Sequence, residues 1–182
     1  MRLMLMLPLV VLAACASQQN VTSMGKFGGK PPSMIVSSDV RTAGGETLGV
    51  ATFAQEPDGL WVSLETSGLP AGEYGVHLHA VGRCEGPDFT SAGPHYNPAS
   101  TQHGSANPAG PHGGDLPNLV VGDNGKGKLS ALLPGVQLTG GAAPLLGPQG
   151  SAILIHAGKD DYRTDPSGNS GSRIACGVLQ GK

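Results

Sequence analysis

The sequence predicts an all-β protein, an antiparallel β-barrel or sandwich with long loops. Glycine (30) and proline (15) together make up about a quarter of the 182 residues, which suits many turns better than helices. No segment shows a sustained 3.6-residue apolar period. Eight short apolar or alternating runs fall within about 150 residues instead, a length that suits one domain. The candidate strands are Met34–Val40, Thr47–Ala54, Leu60–Thr66, Tyr74–His79, Leu116–Val121, Lys128–Leu133, Ser151–His156 and Ile174–Leu179.

Turn signals separate several of these runs. Pro57-Asp58-Gly59, the segment 69–72 and the segment 122–125 each combine glycine with proline, aspartate or asparagine. Three stretches are too long for simple turns: residues 81–114, 134–150 and 157–172. Loops of such length inside a compact domain are usually functional or disordered. The loop 134–150 has little charge and no obvious chemistry.

The N-terminus has the pattern of an export signal. Arg2 precedes an apolar run over residues 3–11, which is too short to span a bilayer, and Leu12-Ala-Ala-Cys15 follows. This ending resembles the bacterial lipobox, so we expect residues 1–14 to be a lipoprotein signal peptide and Cys15 to be acylated. The alternative is a plain secreted protein that happens to carry Cys15. Residues 15–32 then form a flexible, lipid-anchored tether, and residues 33–182 form the domain.

Charge and cysteine content limit the partners and the compartment. A formal net charge of −2 excludes a basic surface that follows phosphates, so we expect no nucleic acid partner. With Cys15 acylated, Cys84 and Cys176 remain. Export would place them in an oxidising compartment, where a disulfide persists, although two free buried thiols are the alternative.

Histidines are the most informative residues, and none of the six lies in the first 76 residues. His77 and His79 alternate with Leu78 on a predicted strand, so both imidazoles leave the same face. Two adjacent imidazoles suit a core poorly unless a metal pairs with them. His156 ends another predicted strand, which could bring it beside the first two. Several imidazoles in a tetragonal arrangement suit copper.

A second group of candidate ligands lies in and just after the loop 81–114. His95, His103 and His112 with Asp115 supply the three imidazoles and one carboxylate of a tetrahedral zinc set. The alternatives are plain: a His-x-His pair alone is a weak signal, the loop could be a loose metal-buffering tract, and His156 could be an ordinary core or surface histidine.

Six motifs together resemble the copper/zinc superoxide dismutase family over about residues 33–182, in the order and with the spacings of that family. The resemblance implies an eight-stranded Greek-key barrel or sandwich with metal-binding and active-site loops. The motifs are Gly75-Val76-His77-Leu78-His79, Ser91-Ala92-Gly93-Pro94-His95-Tyr96-Asn97-Pro98, His103, His112-Gly113-Gly114-Asp115, Ile155-His156 and Gly171-Ser172-Arg173-Ile174-Ala175-Cys176-Gly177.

The resemblance implies two metals that share one ligand. His95 would bridge them as an imidazolate, with one ring nitrogen on each metal, and would act in catalysis. The implied copper ligands are His77, His79, His95 and His156, and the implied zinc ligands are His95, His103, His112 and Asp115.

Further roles follow from the same resemblance. Cys84 and Cys176 look like the disulfide of the family, and Arg173 looks like the catalytic arginine that receives the substrate anion. Asp160 looks like the carboxylate that links a copper histidine to a zinc histidine outside the metal shell.

Some features depart from many members. Only four residues separate His79 from Cys84, which is similar to the bacterial periplasmic branch. Tyr74 stands where many members have a structural histidine. The loop before Arg173 lacks the charged pattern of eukaryotic members, so the sequence does not define how substrate is steered or whether a homodimer forms.

The expected function is the dismutation of superoxide to O2 and H2O2 at a copper centre, with zinc as its structural and polarising partner. The alternative is a non-enzymatic copper or zinc buffer or chaperone on the same fold, a lipoprotein with no catalytic role. Retention of every copper ligand and of the arginine favours the enzyme. We expect it in the bacterial periplasm or cell envelope, anchored to the outer membrane because Ala16, not aspartate, follows Cys15.

The lipid anchor gives the first prediction. Cys15→Ser removes the thiol that carries the acyl chains, so the variant should become a soluble periplasmic or secreted protein. Membrane fractionation of cells that express the two forms measures this, and a variant that still fractionates with membranes would show that the lipobox interpretation is wrong.

Overall fold

The computed structural model describes residues 32–181, so the predictions for the signal peptide, Cys15 and nearly all of the tether lie outside the described residues. Within that range the fold is all-β, with nine strands and one short 3-10 helix, Thr90–Ala92. The strands are β1 (Met34–Thr42), β2 (Thr47–Glu56), β3 (Gly59–Ser67), β4 (Gly72–Tyr74), β5 (Val76–His79), β6 (Leu119–Val121), β7 (Lys126–Pro134), β8 (Ser151–His156) and β9 (Arg173–Leu179).

All nine strands belong to one antiparallel sheet that curves into a nearly closed barrel. The order of neighbours is β4-β6-β7-β3-β2-β1-β9-β8-β5. The two edge strands, β4 and β5, follow each other directly in the chain, so the two edges of the sheet meet where one ends and the other begins. The predicted all-β antiparallel barrel is confirmed.

Gly75 explains why the structure has nine strands where the sequence predicts eight. The predicted strand 74–79 is split there, since β4 pairs with β6 whereas β5 pairs with β8. Gly75 donates its N–H to the Gly158 carbonyl and accepts from the His156 N–H, both away from β6. A Cβ at Gly75 would lie 2.8 Å from the Cβ of Ser170, so the crossing has room only for glycine.

Strand β8 is buried on both faces. Ile153 and Ile155 point into the main core, together with residues such as Phe53 and Leu64. Its alternate residue Leu154 belongs to a second, smaller cluster with Phe89, Ala92, Ala152 and Cys176. Loop 81–114 supplies part of that second cluster, so apolar burial packs the loop onto the outer face of the barrel.

A disulfide fixes the same loop covalently. Cys84, in the loop, is bonded to Cys176, in β9, across 92 residues of sequence with a Cα–Cα distance of 5.7 Å. This confirms the predicted disulfide. In the loop-entropy view, closing so long a loop stabilises the fold by roughly 4–5 kcal/mol.

The loop 134–150 proves to be part of the core. Val136, Leu138 and Leu145 in this loop are buried, and the Leu138 N–H donates to the Gln55 side-chain oxygen. The loop 134–150 therefore has little charge because its apolar side chains pack into the core. The predicted strand 116–121 is shortened to β6, because the N–H of Asn118 donates to a side chain, the hydroxyl of Tyr162, and not to a neighbouring strand.

A search of residues 32–181 finds no helix long and apolar enough to cross a membrane.

Candidate metal centre

The six histidines are all buried and lie together against strand β5. His77 and His79 share one face of β5, and antiparallel pairing of Val76 with Ile155 brings His156, at the end of β8, beside them. Two isolated bridges attach the loop to this strand, one from His79 to His95 and one from His77 to Asp115. The strand therefore gathers side chains that are up to 79 positions apart in sequence, from His77 to His156.

Four histidines form the first cluster, with ligand atoms all within 4.8 Å of one another. Each has one buried ring nitrogen that finds no hydrogen-bond partner among the described residues. Unpaired buried nitrogens are costly, so four of them in one cluster fit a shared metal ion. The four atoms are Nδ1 of His77 and Nε2 of His79, His95 and His156.

Hydrogen bonds on the opposite ring nitrogens fix these orientations. His77 Nε2 lies 2.8 Å from Asp160 Oδ2, His79 Nδ1 lies 2.8 Å from the Gly93 carbonyl, and His156 Nδ1 lies 3.2 Å from the Gly171 carbonyl. A nitrogen that donates to such an acceptor leaves the other nitrogen with a lone pair, which is the form that binds a metal.

The second cluster is centred on Asp115. Its Oδ1 lies 3.1 Å from Nδ1 of His95, 3.1 Å from Nδ1 of His103 and 3.3 Å from Nδ1 of His112. The Nδ1 atoms of His95 and His112 are 3.3 Å apart. Ligands about 2.0–2.1 Å from a tetrahedral zinc ion lie roughly 3.3 Å from one another, so these four distances fit zinc. The group whose ligand atoms all lie within 4.8 Å of one another here is His77, His95, His103 and Asp115, and it does not include the predicted ligand His112.

His95 belongs to both clusters. Its Nδ1 faces Asp115 and His112, while its Nε2 is among the unpaired nitrogens of the first cluster. His77 also lies close to the second cluster, with a ligand atom within 4.8 Å of those of His95, His103 and Asp115. Its Nε2 is held by Asp160, and its free Nδ1 is in the first cluster.

Asp160 connects the two clusters from behind. One carboxylate oxygen lies 2.8 Å from His77 Nε2 and the other lies 3.0 Å from His103 Nε2. The Asp160 side chain is fully buried. Gly168, at φ 64°, lies against it, and a Cβ there would clash with the carboxylate. Asp160 thus lies between one histidine of each cluster.

The histidines of the first cluster differ from His103 of the second cluster in their protonation. Burial lowers the pKa of His77 to about 3, of His79 to about 2 and of His156 to about 4. Burial also lowers the pKa of His95. These four imidazoles are therefore neutral at neutral pH and have lone pairs available for a metal.

The second cluster is charged. Burial disfavours the imidazolium of His103, but the carboxylates of Asp115 and Asp160 outweigh burial and raise the pKa of His103 to about 9. Burial alone would raise the pKa of the Asp115 and Asp160 carboxyls. Hydrogen bonding to His103 outweighs this effect and holds the pKa of both carboxyls well below the usual range. Without a metal, this cluster therefore holds a proton that a cation would displace.

Arg173 lies beside the first cluster, opposite His156 in the pairing of β9 with β8. Its Nη1 and Nη2 each donate to a main-chain carbonyl at 2.7 Å, of Phe89 and Gly93 respectively. Arg173, His95 and His156 line one open cavity of about 840 Å³. Burial lowers the pKa of Arg173, but an arginine remains charged in proteins, so a cation faces this cavity.

Sequence reasoning missed some supporting groups. Asp165 Oδ1 accepts the His103 N–H at 2.6 Å and lies 3.7 Å from His112 Nε2. The Gly93 carbonyl orients both His79 and Arg173. No sequence signal could have found a main-chain carbonyl in this role, because its direction depends on the folded loop.

Fold and site together define a β-barrel protein with two adjacent clusters of candidate metal ligands, both of which include His95. The profile of the family described as copper/zinc superoxide dismutase (SODC) matches residues 47–179. Cu-Zn superoxide dismutase 1 of Aquifex aeolicus is 43% identical over 145 residues, which are 79% of this chain and 86% of that protein.

Solved structures agree with this relationship. A crystal structure of a SOD-like protein from Bacillus subtilis matches with a TM-score of 0.75 at 40% identity, covering 79% of this chain and 97% of the other. The Cu/Zn superoxide dismutase from Brucella abortus matches with a TM-score of 0.64 at 26% identity, covering 80% and 99%. The chain belongs to the copper/zinc superoxide dismutase family, which confirms the resemblance and the prediction of copper and zinc as its cofactors.

The charge of the second cluster gives a prediction about protons. His103 is protonated below a pKa of about 9, so zinc binding to the metal-free protein at about pH 7 should release roughly one proton from it. The release should fall towards zero as the pH rises through 9 and His103 becomes neutral beforehand.

Calorimetric titration in two buffers of different ionisation enthalpy measures this release. Cu(I) is the matched control, because His77, His79 and His156 are already neutral at about pH 7 and have no proton to lose. Zinc binding without proton release at about pH 7 would show that Asp115 and Asp160 do not hold His103 in its charged form.

Proposed function

We propose that this chain is a superoxide dismutase, converting two superoxide anions and two protons into O2 and H2O2. His77, His79, His95 and His156 would hold copper, and His95, His103, His112 and Asp115 would hold zinc. One observation carries the proposal: four unpaired buried nitrogens meet in one cluster, and one of them belongs to a histidine whose other nitrogen faces a zinc-type set.

Copper, when bound, supplies a one-electron centre that alternates between Cu(II) and Cu(I), whereas zinc is redox-silent and acts by charge and by shaping the loops. The chain provides rigid placement for both. His77 and His79 are on a buried strand, and Asp160 and the Gly93 carbonyl keep their rings from turning.

Arg173 would receive the substrate. A guanidinium has five N–H donors, and the two carbonyls of Phe89 and Gly93 engage only part of them. The remaining donors and the permanent charge suit a small anion in the cavity beside His95 and His156. Because the chain carries a net charge of −2, attraction of superoxide must come from this local positive charge.

His95 would also handle a proton. Its Nδ1 faces Asp115 and the zinc-type set, so its Nε2, whenever it is not bound to copper, would be the atom that could take up a proton and donate it to the nascent peroxide. Burial keeps the pKa of His95 low, which favours giving that proton away again.

A metal buffer or chaperone is the second candidate, since the Bacillus subtilis relative is described only as SOD-like. Storage or transfer of copper needs ligands but has no need for an anion receptor in the same cavity. The position of Arg173 beside the first cluster therefore supports the enzyme.

We further propose that the protein is exported to the bacterial cell envelope and anchored there by acylated Cys15, because residues 12–15 have the pattern of a lipobox. Plain secretion is the alternative. This rests on the sequence alone.

Catalysis can be separated from metal storage by Arg173→Ser. The variant should keep one copper and one zinc, since Arg173 belongs to neither ligand set, but lose activity on the order of 10-fold or more because local attraction of the anion is lost. Metal analysis and a superoxide-consumption assay on the loaded domain measure both.

Arg41→Ser is the matched control. Arg41 is exposed and paired with Asp39 at 2.6 Å, so its loss removes the same charge at a distance from the cavity and should leave activity unchanged. Full activity in Arg173→Ser would remove the proposed role of that residue, and a copper- and zinc-loaded wild type with no activity would favour the buffer.

A further inference from the structure

Asp160 is held by an amide side chain that neither the ligand sets nor the motifs include. Asn118 Nδ2 donates to the Asp160 carbonyl at 2.9 Å, and Asn118 Oδ1 accepts the Asp160 N–H at 2.9 Å. Both hydrogen bonds are buried. The Asn118 amide thus pairs with the main chain of Asp160 on both sides, as a neighbouring strand would.

Tyr162 completes this support. Its hydroxyl accepts the Asn118 N–H at 2.8 Å, and its own N–H donates to Asp160 Oδ1 at 2.6 Å. Its carbonyl accepts the Ala106 N–H from the loop 81–114. Asn118, Asp160 and Tyr162 therefore form a closed set of hydrogen bonds that joins three segments of the chain behind the metal-site histidines.

This set matters because Asp160 lies on a long loop while its carboxylate must meet two rings at once. Its two oxygens reach His77 Nε2 at 2.8 Å and His103 Nε2 at 3.0 Å, one histidine from each cluster. A small rotation of the Asp160 main chain would break at least one of these contacts. Asn118 removes that freedom, and Tyr162 fixes Asn118.

We propose that Asn118 and Tyr162 are positioning residues that hold Asp160 so that zinc binding at His103 is transmitted to the copper ligand His77. This route is separate from the shared ligand His95. The inference rests on the proposed assignment of His77 to copper and His103 to zinc.

The cleanest test is Tyr162→Phe, which removes a single hydroxyl and leaves the ring. The buried N–H of Asn118 then loses its acceptor, so Asp160 is held less firmly. The zinc dissociation constant of the copper-free protein should therefore rise on the order of 10-fold, which is the lower end of the loss of metal affinity expected when a residue that supports a metal ligand is changed. The copper EPR spectrum of the variant should also respond less to added zinc.

Tyr74→Phe is the matched control. The Tyr74 hydroxyl donates to the Pro70 carbonyl at 2.9 Å, away from both clusters. The Tyr74→Phe variant therefore loses one side-chain hydrogen bond to the main chain, as the Tyr162→Phe variant does. It should leave the zinc dissociation constant and the EPR response to zinc unchanged.

A second pair of variants separates positioning from stability. Asn118→Leu removes both bonds to Asp160 and should raise the zinc dissociation constant by about 10- to 100-fold. Gln55→Met removes the amide bonds from Gln55 to Glu56, Gly59 and Leu138 in another part of the barrel. It should lower the melting temperature without changing zinc binding.

Two outcomes would overturn the inference: wild-type zinc affinity in Tyr162→Phe, or zinc affinity that falls in Gln55→Met as much as in Asn118→Leu. If Asn118→Leu does not fold, Tyr162→Phe decides. A wild-type chain that takes up no equimolar zinc would instead contradict the assigned zinc site, and with it the proposed function.

Discussion

The two ring nitrogens of one buried histidine set the requirements for the rest of this structure. His95 can face two clusters only if the loop that carries it is held against strand β5 on both sides. Three kinds of interaction hold it: the disulfide between Cys84 and Cys176, the apolar cluster on the outer face of β8, and the main-chain bridge to His79. Each one acts within or close to the loop 81–114.

Burial of six imidazoles and two carboxylates would be unfavourable in an ordinary core. Here the hydrogen bonds are divided so that one nitrogen of each ring in the first cluster is satisfied by the protein and the other is left for a metal. Neutral rings on one side and an ion-paired group around His103 on the other then suit two different cations within one continuous site.

Much of this follows from the sequence. The period-2 spacing of His77 and His79 predicts a shared face, and the motifs predict the family, the disulfide and the position of Asp160. The break at Gly75 could not be predicted, because it depends on which strand each edge pairs with in three dimensions. The contacts of Asn118 and Tyr162 were also out of reach, since their partners are main-chain groups about 40 residues away in sequence.

Diffraction data collected at the copper and zinc absorption edges from crystals of the loaded protein test the central claim most directly. The account predicts two separate anomalous peaks, copper beside His95 Nε2 and zinc beside His95 Nδ1, with Nδ1 about 2.0–2.1 Å from the zinc. A single peak, or two peaks of which only one contacts His95, would contradict it.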